Sequence, residues 1–184
     1  MNRQRQPLSA RVKGFTLVEL AVTVAVLAIL CAIAIPSFTG LIRGNRLSGA
    51  ANELVVAFQM ARSEAIKLNG SVKMCRSDNG TSCAAGNTWN TLLVVDRGGA
   101  VLRSVALRPG LQIQGDSALD AMSDVITFSA DGIARTSAGV PVAATIGVCM
   151  PVSNPSDNLR QVVITGGSRI SVNRASGGGA CPDS

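Results

Sequence analysis

The chain has 184 residues, 47% hydrophobic but only 3% aromatic, which is the scale of one aliphatic-cored domain with an appendage. It contains no His and no Tyr, which excludes Ser-His-Asp triads, Cys-His pairs and His-ligated metals. The net charge of +6 looks like a nucleic-acid signal until it is located: Arg3, Arg5, Arg11 and Lys13 precede the first long apolar run, and without them 13 basic residues face 11 acidic ones.

From Leu20 to Ile42 there are 23 residues without a charge, roughly 35 Å of helix and enough to cross a bilayer core of about 30 Å. Four basic residues lie before this run and only Arg43 and Arg46 follow closely. The positive-inside bias therefore predicts a cytoplasmic N-terminus and an exported remainder. The run is too long for a cleavable secretory signal. Cys31, inside it, reads as a small hydrophobe.

Ahead of the run stands Gly14-Phe15-Thr16-Leu17-Val18-Glu19, a lone carboxylate at the lip of an apolar helix. Such a group in a membrane implies a function and a partner. The motif, with its basic leader, resembles the type IV prepilin signature. The resemblance implies that a prepilin peptidase cuts after Gly14 and methylates the new N-terminus at Phe15. It also implies that Glu19 forms an assembly salt bridge with a neighbouring subunit's terminal amine. One charge per subunit then specifies register. Pro36 falls where many pilins kink their first helix.

Beyond Pro36 and Gly40, which interrupt the run, Leu47, Ala51, Leu54, Phe58, Ala61, Ala65 and Leu68 recur at spacings of four and three, one apolar stripe on a helix. Asn69-Gly70 supplies a stop. Short aliphatic runs then predict strands near residues 72–76, 92–96, 100–107, 111–114, 125–128, 145–150, 159–165 and 169–172. Hairpins are expected at Arg97-Gly98-Gly99 and Thr165-Gly166-Gly167-Ser168. The short connections imply antiparallel sheets.

Four cysteines lie in the exported part, where oxidation is expected. They allow three pairings. The expected one joins Cys75 to Cys83 around a short polar loop and Cys149 to Cys181 across a glycine-rich tail. A zinc site built from all four lacks a CxxC knuckle, so no metal and no cofactor is expected.

Further details resemble the minor pilin and pseudopilin group called GspH/FimT: the Ala61-Arg62-Ser63-Glu64-Ala65 helix end, the Cys75 to Cys83 loop followed by Trp89, the Phe128-Ser129-Ala130-Asp131-Gly132 turn and the final hairpin. The resemblance implies an α+β, type IV pilin-like fold, with a long N-terminal helix packed on an antiparallel β-sheet domain. The expected organisation is a leader at 1–14, a transmembrane and filament-core helix at 15–42, an amphipathic helix half at 43–70 and a β-rich periplasmic domain at 71–184. The implied partners are the prepilin peptidase, other major and minor pilins, and the inner-membrane assembly platform. The implied location is the bacterial inner membrane, then a filament. The implied role is a minor subunit near the tip of a type IV pilus that helps to prime assembly. A pseudopilin of a type II secretion system and a FimT-like DNA-binding pilin are the alternatives.

For DNA the candidate contacts are Arg160, Arg169 and Arg174. Their spacing departs from the Gly-Arg-x-Arg element of FimT-type proteins, and no aromatic stacking platform accompanies them. Solvated arginines are therefore expected. Asp120 and Asp124 are the only carboxylate pair considered for catalysis; both are expected on a solvated surface, and no enzymatic activity is expected. Trp89 is expected at the rim of the core.

Overall fold

The computed structural model describes residues 14–86, 89–107 and 109–182. The expected leader, apart from Gly14, lies outside them. The chain forms two compact units, Met1–Phe38 and Thr39–Ser184. Helix α1 spans Leu17–Lys67, followed by β1 (Val72–Ser77), β2 (Thr91–Asp96), β3 (Val101–Ala106), β4 (Gln112–Gly115), α2 (Ser117–Asp120), β5 (Val125–Phe128), β6 (Ala134–Arg135), β7 (Ala144–Cys149), β8 (Leu159–Thr165) and β9 (Arg169–Ala175).

In the first unit every described side chain from Gly14 to Ile35 is exposed. The second unit holds the core. Two sheets, ordered β3-β2-β1-β5-β6 and β4-β7-β8-β9, are antiparallel throughout. Alternate residues of the first sheet (Val72, Met74, Leu92, Val94, Ile126, Phe128) and of the second (Ile113, Ile146, Val148, Val162, Ile164) form one cluster with Leu47, Ala51, Leu54, Phe58, Ala61 and Ala65 of α1. Phe58 meets Phe128 edge to face at 6.4 Å between centroids.

Three expectations need correction. Pro36 and Gly40 do not interrupt the helix, which is continuous through both. Gly40 is small for another reason: a Cβ there would meet Asn154 Oδ1 at 2.5 Å, and one at Gly44 would touch the Pro155 ring at 4.0 Å. The two glycines, one turn apart, form a shelf for the loop before β8, and Arg43 Nη1 donates to the Asn154 carbonyl at 3.0 Å. Leu68 lies beyond the helix and is half exposed, so the buried stripe ends at Ala65.

Two short elements were not expected. α2 is capped by Asp116, whose Oδ1 accepts from Leu119 N at 3.1 Å and whose Oδ2 accepts from Thr145 N at 2.7 Å. β6 has only two residues, too few for any periodicity to show. It matters because Ala134 N donates to Gly167 O at 2.7 Å and Gly167 N to Val142 O at 2.8 Å, which pins the tip of the β8–β9 hairpin.

Gly167 has a positive φ of 69°, and a Cβ there would collide with the Ala134 carbonyl, whereas Gly166, with φ 58°, has nothing within 4 Å. Gly166→Ala is expected to lose about 1 kcal/mol, the left-handed penalty alone. Gly167→Ala adds overpacking and is expected to lose about 3 kcal/mol. Denaturant unfolding of the detergent-solubilised chain, followed by Trp89 fluorescence, measures both; equal losses would show that the tip is not pinned.

Candidate functional site

The N-terminal end of α1 is built by Thr16 and Glu19. Thr16 Oγ1 accepts from Glu19 N at 3.2 Å, while Glu19 Oε2 accepts from Thr16 N and Oγ1 at 3.4 Å each. This is a reciprocal capping box. The sequence reading singled out Glu19 by its charge and missed Thr16, although Thr-x-x-Glu is itself the signal. Both contacts to the carboxylate are long, so Glu19 is oriented at the helix mouth and only lightly held. Gly14 and Phe15 precede the helix. A Cβ on Gly14 would meet nothing within 4 Å, and its φ lies outside the left-handed region, so the fold itself gives no reason for glycine there.

The helix beyond is apolar, with a mean hydropathy of 2.7 over its most apolar stretch and none of that stretch buried. It is long and apolar enough to cross a membrane. Cys31 is on it, reduced and exposed.

The three candidate DNA contacts are not brought together. Arg160 and Arg174 are paired across β8 and β9, but Arg169 sits opposite Thr165 at the far end of the hairpin, about 17 Å away at the usual strand rise. Arg160 is also not on the surface, with 2% exposure. Its Nε donates to Ser48 Oγ at 3.3 Å, its Nη1 to the carbonyls of Asp157 (2.6 Å) and Leu159 (3.0 Å), and its Nη2 pairs with Asp157 Oδ2 at 3.2 Å. This corrects the reading of Arg160 as a phosphate contact: the guanidinium is consumed in tying α1 to the second sheet. Arg174 is exposed and lies 3.7 Å from Asp157 Oδ2.

The structure joins Cys75 to Cys83 and Cys149 to Cys181, each with Cα atoms 5.6 Å apart. The chain-entropy relation gives about 2.6 and 3.7 kcal/mol for loops of these lengths. The second bridge is reinforced by buried Asn158, whose Nδ2 donates to the carbonyls of Met150 (2.9 Å) and Ala180 (3.0 Å) and whose Oδ1 accepts from Gly177 N (2.7 Å).

Beside the first bridge lies a buried polar cluster. Arg76 donates to the Ala85 carbonyl and pairs with Asp78. Gly86 N donates to Asp124 Oδ2 at 3.2 Å. Asp124 is buried at 4% exposure and Trp89 at 1%, so neither is the surface or rim residue expected. The indole Nε1 and Asp124 Oδ1 make no hydrogen bond of normal geometry among the described residues. Burial raises the Asp124 pKa above its usual 3.8, the Gly86 amide opposes this, and Asp120 adds to it. The two aspartates do not form a catalytic pair: Asp120 is exposed and Asp124 is committed to the disulfide loop.

The sequence matches the family described as type II transport protein GspH over residues 50–168, and the prokaryotic N-terminal methylation motif over residues 9–35. Among solved structures it is similar to the type IV minor pilin FimU of Pseudomonas aeruginosa. One crystal form matches with 26% identity, covering 70% of this chain and 89% of that one, at a TM-score of 0.53. A second form matches with 24% identity, 68% and 91% coverage, and a TM-score of 0.51. The minor pseudopilin EpsH of Vibrio cholerae matches with 9% identity, 72% and 98% coverage, and a TM-score of 0.46. No curated protein sequence matches the chain.

The Asp124 cluster has a pH signature. Because its folded-state pKa is raised, the fold prefers the neutral acid. The stability it contributes is full below 3.8 and is lost as pH rises through the folded-state value. Relative to Asp124→Asn, the wild type is therefore expected to lose stability as pH rises out of the ordinary carboxylate range. Thermal unfolding of both proteins across a pH series reads this difference directly, and parallel curves would contradict it.

Proposed function

The chain belongs to the GspH/FimT family of type IV minor pilins and pseudopilins, and from that premise we propose that it is a minor pilin of a type IV pilus, placed near the filament tip and helping to prime assembly. The family is structural rather than enzymatic. The observation that carries the reading is the union, in one chain, of a methylation motif opening a helix whose apolar first stretch is exposed with a GspH-type β-domain. The likeness to FimU favours a pilus over a secretion pseudopilus.

In this reading the leader is residues 1–14, the helix at 15–42 anchors the subunit in the inner membrane with the β-domain in the periplasm, and residues 43–70 join the anchor to the domain at 71–184. Prepilin peptidase requires the glycine that the fold does not: Gly14 fits its active site, and cleavage frees the amine of Phe15 for methylation. In a membrane the apolar helix lies in lipid; in a filament the same surface packs on other pilins, so one segment serves storage and assembly. Glu19, oriented by Thr16, exchanges its two long hydrogen bonds for the terminal amine of a neighbouring subunit. An ion pair in low dielectric is worth having only when both charges are matched, so the pair selects one axial register.

DNA binding is not favoured. With Arg160 buried, Arg169 and Arg174 stand at opposite ends of the β8–β9 hairpin, a footprint of two separate charges.

Mass spectrometry of membrane-extracted protein is expected to show N-methylated Phe15 as the first residue, and Gly14→Leu to retain the leader. A mature chain beginning at Met1 would overturn the assignment. Glu19→Ala is expected to leave membrane insertion intact while reducing piliation to the level of the deletion strain, as counted by electron microscopy. Wild-type pilus numbers would refute the pairing role.

A further inference from the structure

The outer face of the first sheet, turned away from α1, carries a row that the pilin reading does not use. Lys73 on β1 is opposite Thr127 on β5, and Thr127 is opposite Arg135 on β6. Their neighbours Val72, Met74, Ile126, Phe128 and Ala134 belong to the core, so by strand alternation these three point outward. Strands spaced about 4.8 Å apart set the lysine and arginine about 10 Å apart at the backbone, with the threonine midway. All three line a cavity of about 480 Å³, which Ser129, Thr136 and Ser137 also line.

Ala121, Met122 and Val125 complete the lining, and its polar part consists of cations and hydroxyls. Lys73 is exposed and makes no ion pair among the described residues. Arg135 Nη1 is held by Asp131 Oδ2 at 2.6 Å, which orients the guanidinium and leaves its Nε and Nη2 without a partner among the described residues. Asp131, in turn, is kept ionised by the Ile133 amide and by Arg135, which lower its pKa. The hydroxyls of Thr127, Ser129 and Ser137 make no side-chain hydrogen bond among the described residues. Thr136 Oγ1 is buried with no partner there either.

The free ammonium of Lys73 and the Asp131-bound guanidinium of Arg135, whose Nε and Nη2 stay open, face each other across hydroxyl donors and match a tetrahedral oxyanion, which offers several acceptors and at least one negative charge. We propose that this cradle binds a phosphate or sulfate group, seated between Lys73 and Arg135 above Thr127. The volume exceeds that of the bare ion, so the group is carried as an ester on a larger molecule. Nothing in this depends on the pilus assignment.

Isothermal titration of the full chain in detergent, with inorganic phosphate and with glucose 6-phosphate at constant ionic strength, tests it. Phosphate is expected to bind with a dissociation constant of about 1 mM, and the ester more tightly. Lys73→Glu is expected to weaken both at least tenfold, and Thr127→Val, which keeps shape and removes the hydroxyl, about fivefold. Arg174→Gln, a charge change outside the cavity, is expected to leave both unchanged. Unfolding temperatures within error of the wild type confirm that the variants are folded. Phosphate binding no tighter than chloride would overturn the proposal, as would loss of binding in Arg174→Gln equal to that in Lys73→Glu. An ester binding no better than phosphate would overturn the assignment to a larger molecule.

Discussion

A helix with no described residue buried between Gly14 and Ile35 cannot be stable against water. Exposed Leu17, Leu20, Leu27, Ile29, Leu30 and Ile33 alone present a surface whose burial is worth about 25 cal/mol per Å². In the proposed function lipid or other subunits supply that burial. Everything else in the chain answers to this requirement. The second unit engages its own part of α1 from the Gly40 seat to Ala65, and that is where the helix gains its burial.

The second unit meets the demand by adding polar ties to an aliphatic core that has few aromatic residues. Arg160 bonds to α1 at Ser48 and to its own loop at Asp157; Asp116 caps α2 and accepts from β7; Asn158 holds the tail beside the Cys149–Cys181 bridge. Each is satisfied by several partners, which is the condition under which a buried polar group stabilises rather than strains a core. The disulfides act on the unfolded chain, and these ties on the folded one. The tail from Gly177 to Cys181 is held by both.

The sequence carried the stripe on α1, most of the strands and both glycine hairpins because periodicity and turn chemistry are local signals. The nearest-neighbour cysteine pairing is also the one the structure forms. What it did not carry is what only three-dimensional contact creates. Gly40 looks like a breaker in one dimension and is a seat for Asn154 in three. Asp124 stands in a polar, turn-like stretch, yet the disulfide loop folds over it. The capping box at Thr16 was readable from spacing alone, but the charge of Glu19 drew attention first.

Charge is the clearest case of a sequence quantity that structure redistributes. Three arginines near the C-terminus look like a basic cluster when counted along the chain. In the fold Arg160 is internal, Arg174 lies close to Asp157, and Arg169 stands at the far end of the hairpin. Lys73 and Arg135, which are 62 positions apart in the numbering, come to lie on the same face with one strand between them. Strand pairing brings together residues that no window along the chain contains, and it separates residues that a window joins. A net charge of +2 outside the four N-terminal basic residues therefore says little about where an anion would be held; the positions that matter are those where cations with open donors face hydroxyls on one sheet face.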